Sequence, residues 1–360
     1  MTNPSLAIIK KEMHFDGGIE KVTNRLVLAF LNKGVDLSFY TSADASLPCT
    51  TFSHRPKGLL KVSRMKDFDQ WAQKESRKHP IVFSMDRCSY QTHLRAGNGV
   101  HAAYLDLRSQ TEGKLKKLSF ALNPLHRLQL KLERKTFESP ETKVIIVNSE
   151  MVKNQIVAYY NTPASKITVV HNGVEWKEFE ADFNASLTRS HQDVFQFLFV
   201  GHNFKRKGLD ILLSALSKLN TKKFHLSVVG HDKEMSSYKK LAHRLKLEKN
   251  VTFFGRVNAK PYYLAADALV IPSIYDPFAN VTVEALALGL FVITSRMNGG
   301  HEVILPHTGA IVETPDEMIA ALETAMQNPK EKSRAEAIRN SIQHLDYSHQ
   351  LEKICDLCLG

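Results

Sequence analysis

Four cysteines in 360 residues, at positions 49, 88, 355 and 358, are too few and too scattered for a disulfide framework, so reduced thiols are expected. Cys355 and Cys358 form a CxxC. The surrounding LEKICDLCL carries apolar residues at helical spacing, and the pair reads as helix packing rather than a metal or redox site. Long hydrophobic runs are missing too: no stretch approaches the roughly 20 apolar residues that span a bilayer. The N-terminal MTNPSLAIIKKEMHF lacks an apolar core followed by a small-residue cleavage site, so a cytoplasmic location is expected. Low-complexity tracts are absent, and 43% hydrophobic with 24% charged residues is the balance of a chain that folds throughout. At this length two domains, each with its own core, are expected.

What is present in excess is positive charge. A formal net charge of +11 implies an anionic partner, without choosing among nucleic acid, lipid headgroup and phosphorylated substrate. Between Arg108 and Lys135 eight basic residues stand against Glu112 and Glu133, a local +6 that is more than half the total. Leucines at 115, 118, 122, 125, 128 and 132 interleave with Lys114, Lys116, Lys117 and Arg127. This basic amphipathic pattern suits an anionic membrane surface; a helix turning its leucines to a domain core explains the same leucines. Nucleic acid is disfavoured, since Phe120 is the only aromatic in the stretch and neither zinc-ligand spacing nor an RNP-like motif occurs.

Along the chain, strand-like Leu6 to Ile9 runs into HFDGGIEKV. Val22, Leu26, Val27 and Phe30 then recur at helical spacing, Gly34 ends the helix, and VDLSFYTS reads as the next strand. Such βαβ units imply a parallel sheet. IVFSMD, KVIIVNSE and KITVVHNGV continue the series, with Ser149 as a helix N-cap. Residues 175–193 are polar and aperiodic, which places a domain junction at or just before them. Strand–helix alternation then restarts at FQFLFVG. The boundaries are set at 1–173 and 174–340, with 341–360 expected as a helix packing back on the first domain.

Two strand-end loops carry the chemistry, because glycine lets backbone approach a ligand and helix N-termini present unpaired N–H groups to phosphate. In FVGHNFKRKGLD, Arg206 and Lys207 lie between Gly201 and Gly208, where they could hold a diphosphate; a solvated basic turn is an equal alternative. In IPSIYDPFANVTVEALALG, Asp276 precedes a helix expected to begin near Phe278 to Asn280, and Glu284 sits about a turn and a half inside it. Free N–H groups at Ala279, Asn280 and Val281 would face an anion, and the two acids suit vicinal sugar hydroxyls. A capping acid plus a solvated glutamate remains the plainer account.

With these motifs the chain resembles glycosyltransferase family 4, whose retaining members have the GT-B fold: two Rossmann-like α/β parallel-sheet domains facing a central cleft. The family carries two acids eight positions apart, usually both glutamate, and here they are Asp276 and Glu284. The resemblance implies that Asp276 contacts donor-sugar hydroxyls, that Glu284 holds the ribose, and that amides near Asn280 and Val281 meet the phosphates. Lys207 and Arg206 would stabilise the leaving diphosphate. VTFFGRV is similar to the strand and turn beside the nucleobase, assigning Gly255 and Arg256 to the base pocket, although an exposed turn arginine explains Arg256 equally. Gly17 and Gly18 resemble the loop over which donor phosphate and acceptor pass; a tight turn needs glycine there anyway. HLRAGNGVHAAYL resembles the motif near the reaction centre, which offers His101 as the group closest to the acceptor, with Asn98 where an acid is usual.

Similarity to lipopolysaccharide-core glucosyltransferases, which share the basic insertion, implies metal-independent retaining transfer of glucose from UDP-glucose. The acceptor would be a lipopolysaccharide-core or other lipid-linked glycan at the inner face of the cytoplasmic membrane. No cofactor beyond the substrate nucleotide sugar is implied. A GT-B-like epimerase or phosphorylase, and a non-catalytic basic adaptor, are the alternatives; the first has no need of the basic insertion, the second none of Asp276 with Glu284.

Overall fold

A computed structural model describes residues 4–12, 18–188 and 193–360, and divides into two compact units. One comprises residues 1–171 with 350–360, the other residues 172–349.

The first unit is built on seven strands, β1 (Ser5–Ile9), β2 (Asp36–Thr41), β3 (Thr50–Ser53), β4 (Ile81–Ser84), β5 (His93–Arg95), β6 (Val144–Val147) and β7 (Ile167–Val169). All pairings are parallel, in the order β3-β2-β1-β4-β5-β6-β7. Its helices are α1 (Gly18–Asn32), α2 (Lys61–Ser76), α3 (His101–Glu112), α4 (Lys114–Leu122), α5 (Pro124–Glu138) and α6 (Glu150–Tyr159). Strands buried on both faces explain the runs of Ile, Val and Phe: Leu6 to Ile9, Val82, Phe83 and Ile145 to Val147 are almost entirely shielded from water. Ser149 caps α6 as expected, its hydroxyl accepting the Val152 N–H at 3.2 Å.

The second unit repeats the plan. β8 (Phe195–Val200), β9 (Phe224–Val229), β10 (Val251–Gly255), β11 (Ala268–Ile271), β12 (Phe291–Ser295) and β13 (Gly309–Val312) form a parallel sheet in the order β10-β9-β8-β11-β12-β13. Its helices are α7 (Glu180–Leu187), α8 (Phe204–Lys207), α9 (Leu209–Ser217), α10 (Met235–Arg244), α11 (Lys260–Ala265), α12 (Asn280–Ala287), α13 (Pro315–Gln327) and α14 (Lys332–Ser341). A last helix, α15 (Tyr347–Leu359), carries the chain end into the first unit.

Two expectations change. The polar stretch after residue 174 is not irregular: α7 forms within it, and it escapes a periodicity reading because Phe183 and Ser186 are its only buried residues. The tail is not one helix from residue 341. The chain leaves helical geometry so that Val174 can donate to the Leu345 carbonyl at 2.9 Å and Tyr347 to the Val174 carbonyl at 3.0 Å. Asp346 restarts the helix, its carboxylate accepting from the Ser348 N–H and hydroxyl. Cys355 and Cys358 are buried on α15, and burial pushes both thiols up from their ordinary acidity.

Candidate functional site

In an open α/β sheet, ligands bind beyond the carboxyl ends of the strands where the strand order reverses. In the second unit that point lies between β8 and β11. The loop after β8 carries Gly201 to Gly208, and the loop after β11 carries Asp276. Gly208 has φ +77°, and a Cβ there would come within 2.0 Å of the Pro272 carbonyl oxygen, so only glycine lets the two loops meet. Arg206 seals the junction by accepting the Ile274 N–H on its backbone carbonyl at 2.8 Å. Gly201 serves a different purpose: a Cβ there would crowd the Lys207 Cγ at 3.3 Å, so its bareness makes room for the lysine stem.

Lys207 thereby enters a buried position and donates to Asp276 Oδ2 at 2.6 Å, with side chains only 10% and 8% exposed. Arg206 Nη1 donates to the same oxygen at 3.4 Å and to the Tyr275 carbonyl at 3.4 Å. Asp276 Oδ1 turns back to accept the Phe278 N–H at 3.3 Å. Two cations around one carboxylate leave a surplus positive charge at the strand ends, the condition for holding an anion. The aspartate that the family resemblance gives to sugar hydroxyls is therefore the counter-ion of both basic residues in this structure.

α12 begins at Asn280, within the expected window. The amide of Ala279 is not free, however: Asn298 Oδ1 accepts it at 2.9 Å. Asn298, fully buried, also accepts the Gly300 N–H and donates to Thr282 and Thr294 Oγ1 at 3.2 and 2.8 Å. This hub fixes the helix start and takes Ala279 out of the set of spare donors, while Asn280 and Val281 lie in the first turn, where no preceding helical carbonyl is available. The Asn280 side chain accepts from Asn172 Nδ2 at 2.7 Å. Glu284 is oriented by buried Tyr263, whose hydroxyl donates to Oε2 at 2.8 Å; burial first, then Glu284, holds that phenol well above its ordinary pKa. Asn298 and Tyr263 were not found from the sequence, since an asparagine after a strand and a tyrosine in a short helix carry no pattern.

Gly255 has φ +74° and its carbonyl accepts the Gly230 N–H at 2.8 Å, while Arg256 is exposed. A Cβ on Gly230 would meet the Gly201 carbonyl oxygen at 1.9 Å, so the backbones after β8, β9 and β10 close on one another.

The first unit has its own strand-order reversal, between β1 and β4. There Lys10 Nζ pairs with Asp86 Oδ1 at 3.0 Å, and the Lys11 N–H donates to Oδ2 at 2.7 Å. Gly17 lies outside the described residues, and Gly18 opens α1. His101 starts α3, with Nε2 3.0 Å from His126 Nδ1. Burial chiefly, and Arg87, lower its pKa to about 4, so the ring is neutral near pH 7. Its placement comes from Glu133, a fully buried carboxylate that accepts from the amides of His101 and Ala102, from Arg87 Nε at 2.7 Å, and from the Tyr160 hydroxyl at 2.5 Å. In the sequence Glu133 entered only as one of the two acids set against the basic stretch. Asn98 is exposed.

The basic stretch divides. On α5, Leu128 and Leu132 are buried, whereas on α4 Leu118 and Leu122 are 59% and 69% exposed. Lys117 and Arg127 are exposed, and the side chains of Lys114 and Lys116 lie outside those described.

Comparison with known proteins follows these units. Residues 181–344 match the family model for glycosyl transferases group 1, and residues 16–177 that for Glycosyltransferase Family 4. The chain is 25% identical to the lipopolysaccharide glucosyltransferase WaaG of Escherichia coli over 367 residues, 96% of each chain. The WaaG crystal structure superposes with a TM-score of 0.81 at 22% identity, covering 99% of this chain and 100% of WaaG. An uncharacterized glycosyltransferase of Methanocaldococcus jannaschii is 32% identical over 180 residues, so the match spans under half of that relative, 45%, and 47% of this chain. The Anabaena protein HepE, crystallised with UDP-glucose, aligns with a TM-score of 0.69 at 14% identity over 98% of both chains. The shared architecture is GT-B.

Proposed function

Because the chain belongs to the glycosyltransferases that join a family 4 domain to a group 1 domain, we propose that it transfers glucose from UDP-glucose to a sugar hydroxyl of a lipopolysaccharide-core or other lipid-linked glycan, with retention of configuration and without a metal ion. The observation that carries this reading is the Lys207–Asp276 pair with Arg206 beside it at the β8/β11 reversal. Breaking a glycosidic bond to a nucleoside diphosphate places negative charge on the departing phosphates, and preorganised cations aimed there lower the barrier. Lys207 and Arg206 supply that charge, and the amides of Asn280 and Val281 add donors. Asp276 holds Lys207 rigid and has acceptor capacity for a donor-sugar hydroxyl. Glu284, fixed by Tyr263, accepts from ribose hydroxyls, and Gly255 with Arg256 borders the base.

On the acceptor side, neutral His101 accepts a hydrogen bond from the reacting hydroxyl. The exposed leucines of α4, with Lys114, Lys116 and Lys117 on the same helix and Arg127 on the next, support docking on an anionic membrane surface, with the protein peripheral on the inner face. No described helix is long and apolar enough to cross a membrane.

A panel of UDP-, GDP- and ADP-sugars, assayed for hydrolysis and for protection against thermal unfolding, tests the donor assignment, because a ligand that binds the folded state raises apparent stability. UDP-glucose is expected to protect most. Equal protection by all members, or by none, would remove it.

A further inference from the structure

In the first unit α2 and α5 leave a groove of about 760 Å³ between them, room for a disaccharide. Lys66 enters it from α2, and Arg127, Lys131 and Lys135 descend α5 at four-residue intervals, so all three lie on one helix face. All four are exposed, and none forms a salt bridge with a described carboxylate. Gln70 and Gln73 add neutral hydrogen-bonding groups. The only acid in the lining is Asp69, and its Oδ1 is engaged by the Ser89 N–H at 2.7 Å. Burial pushes this carboxyl up, while the Ser89 hydrogen bonds and the charge of Lys135 oppose that shift. At the start of the same two-helix layer, Leu59 and Leu60 stand 99% and 71% exposed just before α2, as Leu118 and Leu122 do before α5.

We infer that this groove binds a saccharide bearing at least two phosphate or carboxylate groups, through Lys66, Arg127, Lys131 and Lys135. The inference rests on the acceptor half of the proposed function and deepens it. Spaced cations suit separated anionic substituents, and the glutamines suit the hydroxyls between them. Exposed Leu60 and Leu122, each two residues before a lining position, favour a saccharide presented from a lipid surface over a free one.

The test titrates full-length protein with a bisphosphorylated glucosamine disaccharide, its dephosphorylated counterpart, an acylated form in phosphatidylcholine vesicles, and phosphatidylglycerol vesicles without saccharide. The variant Lys66→Gln/Lys131→Gln/Lys135→Gln is compared with a control, Lys218→Gln/Lys239→Gln/Lys240→Gln, which removes the same charge from the second unit. The groove variant is expected to lose at least tenfold in affinity for the phosphorylated disaccharide and the control to change less than twofold. Tighter binding of the acylated form, lost on Leu59→Ser/Leu60→Ser, identifies a lipid-borne source; equal binding identifies a free one, and both support the groove. Equal loss in both lysine variants, equal binding of the dephosphorylated sugar, or equal competition by phosphatidylglycerol vesicles overturns it. Should the triple variant not fold, Lys131→Gln carries the same test at smaller amplitude. UDP-glucose titrated in parallel separates the two claims: its failure to bind wild type sinks the proposed function, whereas intact UDP-glucose binding without groove dependence sinks the groove alone.

Discussion

In the C-terminal unit Lys207 is buried against a counter-ion, 2.6 Å from Asp276. In the N-terminal unit Lys66, Arg127, Lys131 and Lys135 line a groove and form no salt bridge with a described carboxylate. The difference follows from what each would hold. A diphosphate of fixed geometry, whose charge grows during reaction, rewards cations locked in place beforehand. A larger saccharide with charges spread along it is met by long side chains that retain their freedom until it arrives. The N-terminal unit has locked charges too, among them Glu133, which accepts the His101 amide and so places that residue.

The contrast can be broken at Lys207 first. Lys207→Met is expected to lower kcat/KM about 10³-fold, roughly 4 kcal/mol. It also leaves Asp276 buried with only Arg206 beside it, so thermal stability should fall. Adding Asp276→Asn should restore the melting temperature without restoring turnover, and recovery of turnover would disprove the electrostatic role. Next is Glu133. Glu133→Ala strands the donors of Arg87 and Tyr160 and should cost about 3 kcal/mol in denaturant unfolding, since one partner of a buried network is lost. A change under 1 kcal/mol would show that the carboxylate is dispensable. Tyr263→Phe is smaller: Glu284 loses its orienting donor, and the donor KM is expected to rise about fivefold, near 1 kcal/mol, with kcat little changed.

The smallest effect is on pH dependence. His101 titrates at about 4 when folded and His93 likewise, burial being the first cause for both. Against an ordinary value near 6.5, the unfolded chain binds protons between these limits that the folded chain does not, so stability declines as pH falls from about 6.5 towards 4. His101→Gln should flatten that decline; an unchanged slope would mean that His101 does not contribute to it.

Much of this was legible in the sequence, for reasons that differ by residue. Strands such as FQFLFVG are buried on both faces, so their identity is written in uninterrupted apolar runs. β3 (TTFS) and β5 (HLR) hold one apolar residue each and so offer no apolar run to read. Arg206 and Lys207 stood out because they sit between two glycines after a strand, and Asp276 and Glu284 because two acids bracket a helix start. What composition could not reveal was pairing. That Asp276 faces Lys207, that Asn298 takes the Ala279 amide, and that Glu133 gathers donors from Arg87 and Tyr160 are contacts between residues far apart in the chain. The α2–α5 groove is likewise invisible, because Lys66 and Lys131 become neighbours only when the two helices pack.

The most direct measurement of the central claim is calorimetric titration of UDP-glucose, with EDTA present, into wild-type protein and into a folded Lys207→Met variant. The account predicts a single site on wild type, undiminished by EDTA, and a loss of at least tenfold in affinity in the variant. Binding that needs a divalent metal, or that is indifferent to Lys207, would contradict it.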